Sequence, residues 1–586
     1  IPLNLAHGII HSFILFIVGA VLQSIRSRQK IHCNKSKFPT SKVVCVVALL
    51  LPFLFLANCL RISLLYKNNI TRGACYGDIP FHLSIISSFT YGCNKNRRSL
   101  FDLLTPFFAN EKLAYTFIPD YYSAVLISCF NVSYHSSLFL PSLVYAYSIV
   151  VVLYQIILLF NDFDSSACIF GIWLFLFTGG MGFTQYYKYK HEFYIDFVNN
   201  WGNGRTEGWF QTIIHILLPQ RCSLFALPIT YSIILILMSA GKPTMNNQRY
   251  FVATGILVGA LPQVQMHSVI AVAQWGVFYV LRSFPYRKFS IHFKQYLVNY
   301  SILGLVAIAI GLPQIYPFLS RVNSQANFMQ LRPLWKDGSD RDYNFFNFWW
   351  YALGVFFILS IFGRIVFHTF LNKKQRQYYD ASLGIFILAN FIWYQPWNLD
   401  NTKIFYAGWI PLAISLISRL LMILWRRLPT FGPQLAIVLF IIMNLSGFLA
   451  NYLAMTRAYP VWHESPLDLA SWVNGATHPK SVWITDSSHT NPIVAIAGRQ
   501  TLAGYAGWIV SHGLSDDRRK MIMKRLMQNP DDTRAIDRLN VSYVMSRAET
   551  QNEFNFEPSS DSRYWKLIYQ SKQAKIYQRT RFNRPT

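Results

Sequence analysis

Asp78 and His82, an acid and a histidine four residues apart, lie in Tyr76-Gly77-Asp78-Ile79-Pro80-Phe81-His82, soon after an apolar run. There they are placed to act at a membrane surface on a substrate whose tail stays in the lipid. The competing role for Asp78 is to N-cap a helix beginning at Ile79-Pro80, with proline at the first helical position. A second constellation, Asp400, Asn401 and Lys403 in Gln395-Pro396-Trp397-Asn398-Leu399-Asp400-Asn401-Thr402-Lys403, sets an acid, an amide and a cation at the head of a helix. Helix N-termini favour anions, so this segment suits a phosphate or a sugar hydroxyl. Its alternative is an interfacial tryptophan belt with a snorkelling lysine.

Two further polar points interrupt apolar sequence. Arg221, in Leu218-Pro219-Gln220-Arg221, either neutralises a lipid phosphate or snorkels from a helix end. His267 follows Gln263 and Gln265 in a break between two short helices, where it is a binding or a packing residue. His82 and Asp400 are candidate ligands for a divalent metal, although no spacing demands one. The eight cysteines contain no CxxC pair, which argues against zinc, and Cys33, Cys45, Cys59, Cys168 and Cys222 lie in or beside apolar segments. An oxidising compartment permits a Cys75–Cys93 disulfide, with Cys129 as a rival partner.

The elements that position these residues are membrane helices. The 586 residues are 53% hydrophobic and 13% charged, too apolar and too long for one soluble core. Runs near the roughly 20 residues that cross a bilayer occur at 5–24, 42–66, 138–160, 166–184, 213–240, 296–317, 346–366, 380–395, 402–425 and 433–455. The stretch 250–283 is broken at Leu261–His267 and reads as two short helices, which brings the expected count to about twelve. Lys and Arg outnumber Asp and Glu by 53 to 26, a net charge of +27, but they cluster in short loops such as Arg26–Lys37, Arg282–Lys294 and Lys373–Arg376. That distribution marks cytoplasmic loops and argues against a nucleic-acid partner. Alternation then places the long loop 67–137 and everything after residue 455 on the outer side. The sequons at Asn69, Asn131 and Asn540 fall there as glycosylation candidates, whereas those at Asn34, Asn299 and Asn444 do not fit. The chain opens on Ile1, and its true start is expected upstream.

Two domains are expected: a membrane part, 1–455, and an outer or lumenal α/β domain, 456–586. In the second, Ser465-Pro466-Leu467-Asp468 reads as a helix start with Ser465 as N-cap. Residues 481–485 and 541–545 read as strands, 515–528 as a helix, and 565–569 with 574–577 as a hairpin. The loop 67–137 carries surface helices, one of them after Tyr115-Thr116-Phe117-Ile118-Pro119-Asp120.

This constellation resembles the C-type glycosyltransferase superfamily (GT-C). The features that carry the likeness are Asp78 with His82 in the first outer loop, that loop's surface helices, the Pro396–Lys403 segment and the terminal α/β domain. The segments Gly498-Arg499, Gly504-Tyr505-Ala506-Gly507-Trp508 and Ser511-His512-Gly513 add to it. The resemblance implies a polytopic transferase in the endoplasmic reticulum or another secretory membrane, surrounded by membrane lipids and with its active site lumenal. It would move sugar, with inversion, from a polyprenyl (dolichyl) phosphate donor to a hydroxyl of an acceptor glycan, lipid or protein. Asp78 would be the base, and Arg221 and Lys403 would offset charge on the departing phosphate. Two family patterns are absent: Ile79 stands where an Asp-Glu pair would need Glu, and the Trp349-Trp350 pair is followed by Tyr351 where the oligosaccharyltransferase motif has Asp. A transporter or lipid scramblase is the rival reading, based on the polar break at Pro262–His267. A non-catalytic receptor or assembly subunit is the third.

Overall fold

The computed structural model describes residues 42–97, 99–100, 102–185, 197–199, 206–240, 248–284, 291–322, 329–333, 345–395, 398–428, 430–547 and 555–580. The expected span 5–24, the basic cluster 26–37, Cys33, Asn34, Pro396 and Trp397 lie outside the described residues.

Among the described residues six helices are long and apolar enough to cross a bilayer: Lys42–Ser63, Tyr134–Phe160, Arg221–Ser239, Phe293–Tyr316, Phe345–Val366 and Gly432–Thr456. A seventh candidate is a pair, Leu399–Gly408 and Ile410–Arg427, bent by 60° at the break between them. Twelve crossings are not reached by length and composition among the described residues. Ser166–Phe177 is apolar but short, and Gln248–Ala260, Met266–Ser283 and Lys373–Ala389 fall below the same test. Where these helices face outward they remain apolar. Leu305, Ile308 and Leu312, on one face of Phe293–Tyr316, are 69%, 59% and 54% exposed, a surface that only lipid would cover in a stable protein.

After Thr456 the apolar period stops and a five-stranded sheet is built from β1 (Val482–Ile484), β2 (Gln500–Thr501), β3 (Val541–Arg547), β4 (Trp565–Gln570) and β5 (Ala574–Arg579). Their order is β4-β5-β3-β1-β2, with β1 parallel to both neighbours and the other pairs antiparallel. The strands, the hairpin and the helix Asp517–Gln528 lie where the sequence places them. Ser465 does not cap its helix. The helix runs Glu464–Ala476 with His463 in the cap position, and the Ser465 hydroxyl instead donates to Gln573.

The edge strand β2 is buried beneath the loop that follows the Asp78 helix. Ala109 N donates to Thr501 O (2.8 Å), Thr501 N to Pro106 O (2.9 Å) and Gly504 N to Phe107 O (2.9 Å). Covering an edge in this way satisfies backbone groups that would otherwise template aggregation. Arg499, fully buried, donates to Tyr91 O (2.6 Å) and Ala497 O (2.8 Å), which ties the sheet to the C-terminal end of the helix Cys75–Thr90.

This contact leaves no room at Gly498. Its φ is +64°, and a Cβ there would lie 2.3 Å from the Ser87 carbonyl carbon, a backbone atom that cannot swing aside. Gly498→Ala is expected to destabilise the protein by about 2–5 kcal/mol, the sum of a left-handed backbone penalty and overpacking. A lowered thermal midpoint and faster proteolysis between residues 91 and 109 would show it; an unchanged midpoint would mean the interface yields.

Candidate active site

The helix carrying Asp78 begins at Cys75, not at Ile79, and has Ala74 in its cap position with no side-chain cap bond. Asp78 is therefore not an N-cap. It sits in the first turn, where the helix dipole favours an anion, and its Oδ2 accepts a hydrogen bond from Gln220 Nε2 (2.8 Å). Asp78 is half-buried, and a Cβ on neighbouring Gly77 would meet nothing within 4 Å, so open space adjoins the start of this helix. Burial raises the Asp78 carboxyl to about 6; nearby His82 and Lys403 pull it down, Asp400 pushes it up, and the Gln220 hydrogen bond lowers it. A carboxylate with that affinity for protons is ionised at neutral pH and still accepts a proton readily.

His82, one turn along the same face, is 3% exposed. Its Nδ1 lies 2.9 Å from Asp120 Oδ2, and the other Asp120 oxygen accepts from Arg221 Nε at 3.0 Å. Asp120 is fully buried in the first turn of the helix Ile118–Phe130, which packs its Asp120 face inward instead of lying wholly on a surface. Arg221 is 1% exposed, and its guanidinium is taken up by Asp120, Pro119 O (3.0 Å), Ser123 Oγ (2.6 Å) and Leu138 O (3.4 Å). The expected phosphate role for Arg221 thus has no geometric support: it neutralises a buried acid that orients His82.

Removing one partner of a buried ion pair strands the other. Asp120→Asn is expected to destabilise the chain by about 3–5 kcal/mol, whereas the double replacement Asp120→Asn with Arg221→Met recovers most of that loss. Thermal denaturation of the three proteins in one detergent checks it, and equal midpoints for the single and double variants would refute the pairing argument.

Asp400 and Lys403 come from the 3₁₀ turn Asn398–Asn401 and the short helix Thr402–Gly408 that continues it, ahead of the 60° bend. Lys403 Nζ lies 2.9 Å from Asp400 Oδ1, with the two side chains 9% and 23% exposed. Both act electrostatically on Asp78 and on His267, and His267 also hydrogen-bonds Gln395. Asp78, His82, Asp400, Lys403 and His267 therefore share one site, assembled from three separate helical segments. Asn401 does not face it. Its amide donates to Ala389 O (3.0 Å) and Ile392 O (2.7 Å) and its oxygen accepts from Tyr394 N (3.2 Å), so it locks the turn that presents Lys403.

The polar break before His267 is closed within the protein: Gln263 O accepts from Ile118 N, and Gln265 bonds Ser223 and Ser268. Non-helical backbone at membrane depth is tolerated when it is enclosed in this way. Above the site the terminal domain adds rings. Phe81 meets Trp508 (5.3 Å) and Tyr115 (4.7 Å), and Tyr76 meets His489 (5.1 Å), which in turn lies 5.6 Å from Tyr505. The Gly504–Gly513 segment thus borders the Asp78 helix.

Cys75 and Cys93 are not joined. They stand at opposite ends of a 16-residue helix, about 24 Å long, far beyond disulfide reach. Among the described residues no three His, Cys, Asp or Glu side chains are grouped to hold a metal. The three sequon asparagines all occupy left-handed turns outside helices, with Asn131 and Asn540 exposed and Asn69 half-buried. Asp120 and Gln220 were the residues that spacing did not single out. The Pro119-Asp120 helix start was visible, but nothing in the sequence joins it to His82, 38 positions away.

No protein-family model matches the chain, and no curated protein matches it in sequence. In fold it is similar to the Archaeoglobus fulgidus oligosaccharyltransferase. The form tethered with an acceptor peptide containing the NVT sequon superposes with a TM-score of 0.52 at 13% identity, over 88% of this chain and 70% of that one. The apo form gives 0.51 with the same coverage. The arabinofuranosyltransferase AftD from Mycobacteria gives 0.51 at 10% identity, over 93% of this chain and 40% of that one. The chain therefore has the fold of these membrane transferases. The chain is an integral membrane protein of that architecture; at such identities the likeness shows the fold alone.

Proposed function

We propose that this chain is a membrane glycosyltransferase that moves a sugar from a polyprenyl (dolichyl) phosphate donor to an acceptor hydroxyl at the lumenal or extracytoplasmic face. The observation that carries the reading is the position of Asp78: a half-buried carboxylate, raised toward neutrality, beside the Lys403–Asp400 pair at the head of a helix. The acceptor oxygen attacks the anomeric carbon, Asp78 takes the hydroxyl proton, and the bond from that carbon to the phosphate oxygen breaks with inversion. Negative charge grows on the departing polyprenyl phosphate, and Lys403, held by Asp400 until then, lies where it would offset that charge. His82, held in place by Asp120, lies close enough to Asp78 to lower its affinity for a proton. His267 and Gln395 line the same place and would bind donor or acceptor hydroxyls.

The twelve-crossing topology, the endoplasmic reticulum or another secretory membrane as location, and modification at Asn69, Asn131 and Asn540 belong to the same proposal. The acceptor is a glycan, a lipid or a protein. Purified protein in liposomes, given radiolabelled polyprenyl-phosphate mannose, glucose or arabinose, is expected to release polyprenyl phosphate from one of them in the presence of a saccharide-lipid extract. Absence of release from every donor, with the protein shown to be folded, would refute the assignment.

A further inference from the structure

The terminal sheet carries a large concavity, of about 2020 Å³, none of whose lining residues belongs to the Asp78 site. Every strand contributes to it: Val482 from β1, Gln500 from β2, Tyr543 from β3, Lys566 from β4 and Arg579 from β5. Strand register explains the alignment, because Lys566 pairs with Gln578, Gln578 with Tyr543, and Tyr543 with Trp483. Four inter-strand steps make a groove roughly 19 Å long. It ends against Leu104 and Asn110 of the loop that docks the sheet to the Asp78 helix.

Its charge is one-sided. The lining includes Lys480, Arg534, Arg538, Lys566 and Arg579 with His478, against Asp537 as the one acid among the described lining residues. Arg579 pairs with Asp537 and Arg534 with Asp532, whereas Lys480, Arg538 and Lys566 make no ion pair among the described residues. Between the cations lie hydroxyls and amides, Thr533, Ser542, Thr580, Gln500 and Gln578, with the rings of Tyr543 and Tyr564 and the aliphatic residues Leu104, Val482 and Val541. A peptide partner is held largely by buried apolar anchors, whereas aliphatic residues are only three of this lining and its tyrosine rings serve equally for stacking against sugar. Several spaced cations among many hydroxyl and amide groups fit a chain bearing both hydroxyls and regularly repeated anions.

We infer that this groove binds an extended acidic saccharide, a sugar chain carrying carboxylates or phosphates. The choice of saccharide over acidic peptide rests on the transferase reading above. Binding itself requires neither donor nor turnover, so its failure leaves that reading standing.

The test uses the full chain in detergent micelles, carrying Asn540→Gln so that no glycan occupies the sequon in the groove wall. Fluorescein-labelled decameric oligogalacturonate is titrated and its anisotropy read. Affinity is expected to fall as salt rises, and by about tenfold in the triple variant Lys480→Ala, Arg538→Ala, Lys566→Ala. The control triple variant Arg518→Ala, Lys524→Ala, Lys572→Ala removes as much charge outside the groove and should stay within about twofold of the parent. The inference is overturned if both triple variants weaken binding equally, since the chain's overall charge would then explain it. It is equally overturned if the probe does not bind, or if polyglutamate of equal charge displaces it at equal concentration, which would make the groove a site for acidic protein.

Discussion

Asp78→Asn should lower transfer by about 10²–10⁴-fold, the contribution of a positioned general base, while donor affinity stays near that of the parent. The amide is the same size and still receives the Gln220 hydrogen bond through its oxygen, so the geometry around it is preserved. The wild-type protein should also lose activity as pH falls through about 6, because a base must be ionised to accept a proton and burial raises this one to that value. The sign for folding is opposite. A carboxyl whose value is raised from 3.8 to about 6 on folding costs stability progressively as pH rises between those values and in full above them, so the asparagine variant is expected to denature at or above the wild-type temperature at pH 7.5. Radiolabel transfer measured from pH 5 to 8, with thermal scans of both proteins, reads all of these at once. Full activity in a well-folded Asp78→Asn protein would remove Asp78 from the chemistry.

Lys403→Met is expected to have the next largest effect, about 10²–10³-fold on turnover, the usual magnitude when one charge-stabilising donor is removed from an enclosed site. Methionine keeps the length of the stem, so packing loss is small. Arginine at this position should restore activity only in part, because a planar fork does not reproduce a compact point charge. The loss should appear mainly in turnover if Lys403 meets the leaving phosphate, and mainly in donor affinity if it meets the bound phosphate equally before and during reaction. Single-turnover release of polyprenyl phosphate separates the two. Asp400→Asn provides the complementary arm: it frees Lys403 from its 2.9 Å partner and removes the charge that raises Asp78, so the acid limb of the pH profile should move downward.

These two residues were legible in the sequence because local spacing places them. Asp78 and His82 are four apart and so share a helix face wherever that helix packs. Asp400, Asn401 and Lys403 sit together at a helix start, although the structure divides their labour: Asn401 turns inward to three backbone groups and Lys403 faces the site. The strands at 482–484 and 541–547 and the hairpin at 565–579 were likewise visible in their alternation and turn residues.

Local pattern could not reach further than that. Arg221 reads as a helix-end cation, but it is turned inward by Asp120, 101 positions earlier. Cys75 and Cys93 share a loop in sequence and are kept apart by the helix between them. Gly498 is ordinary along the chain and becomes obligatory only because the Ser87 backbone presses on it. Apolar run length, charge clustering and helical or strand period were determined by the sequence itself, since each follows from backbone geometry and from the cost of placing polar groups in lipid within a few residues. The tertiary structure decided which acids and cations meet, which face the cavity and which are buried as counterions, because those outcomes depend on packing between segments hundreds of residues apart.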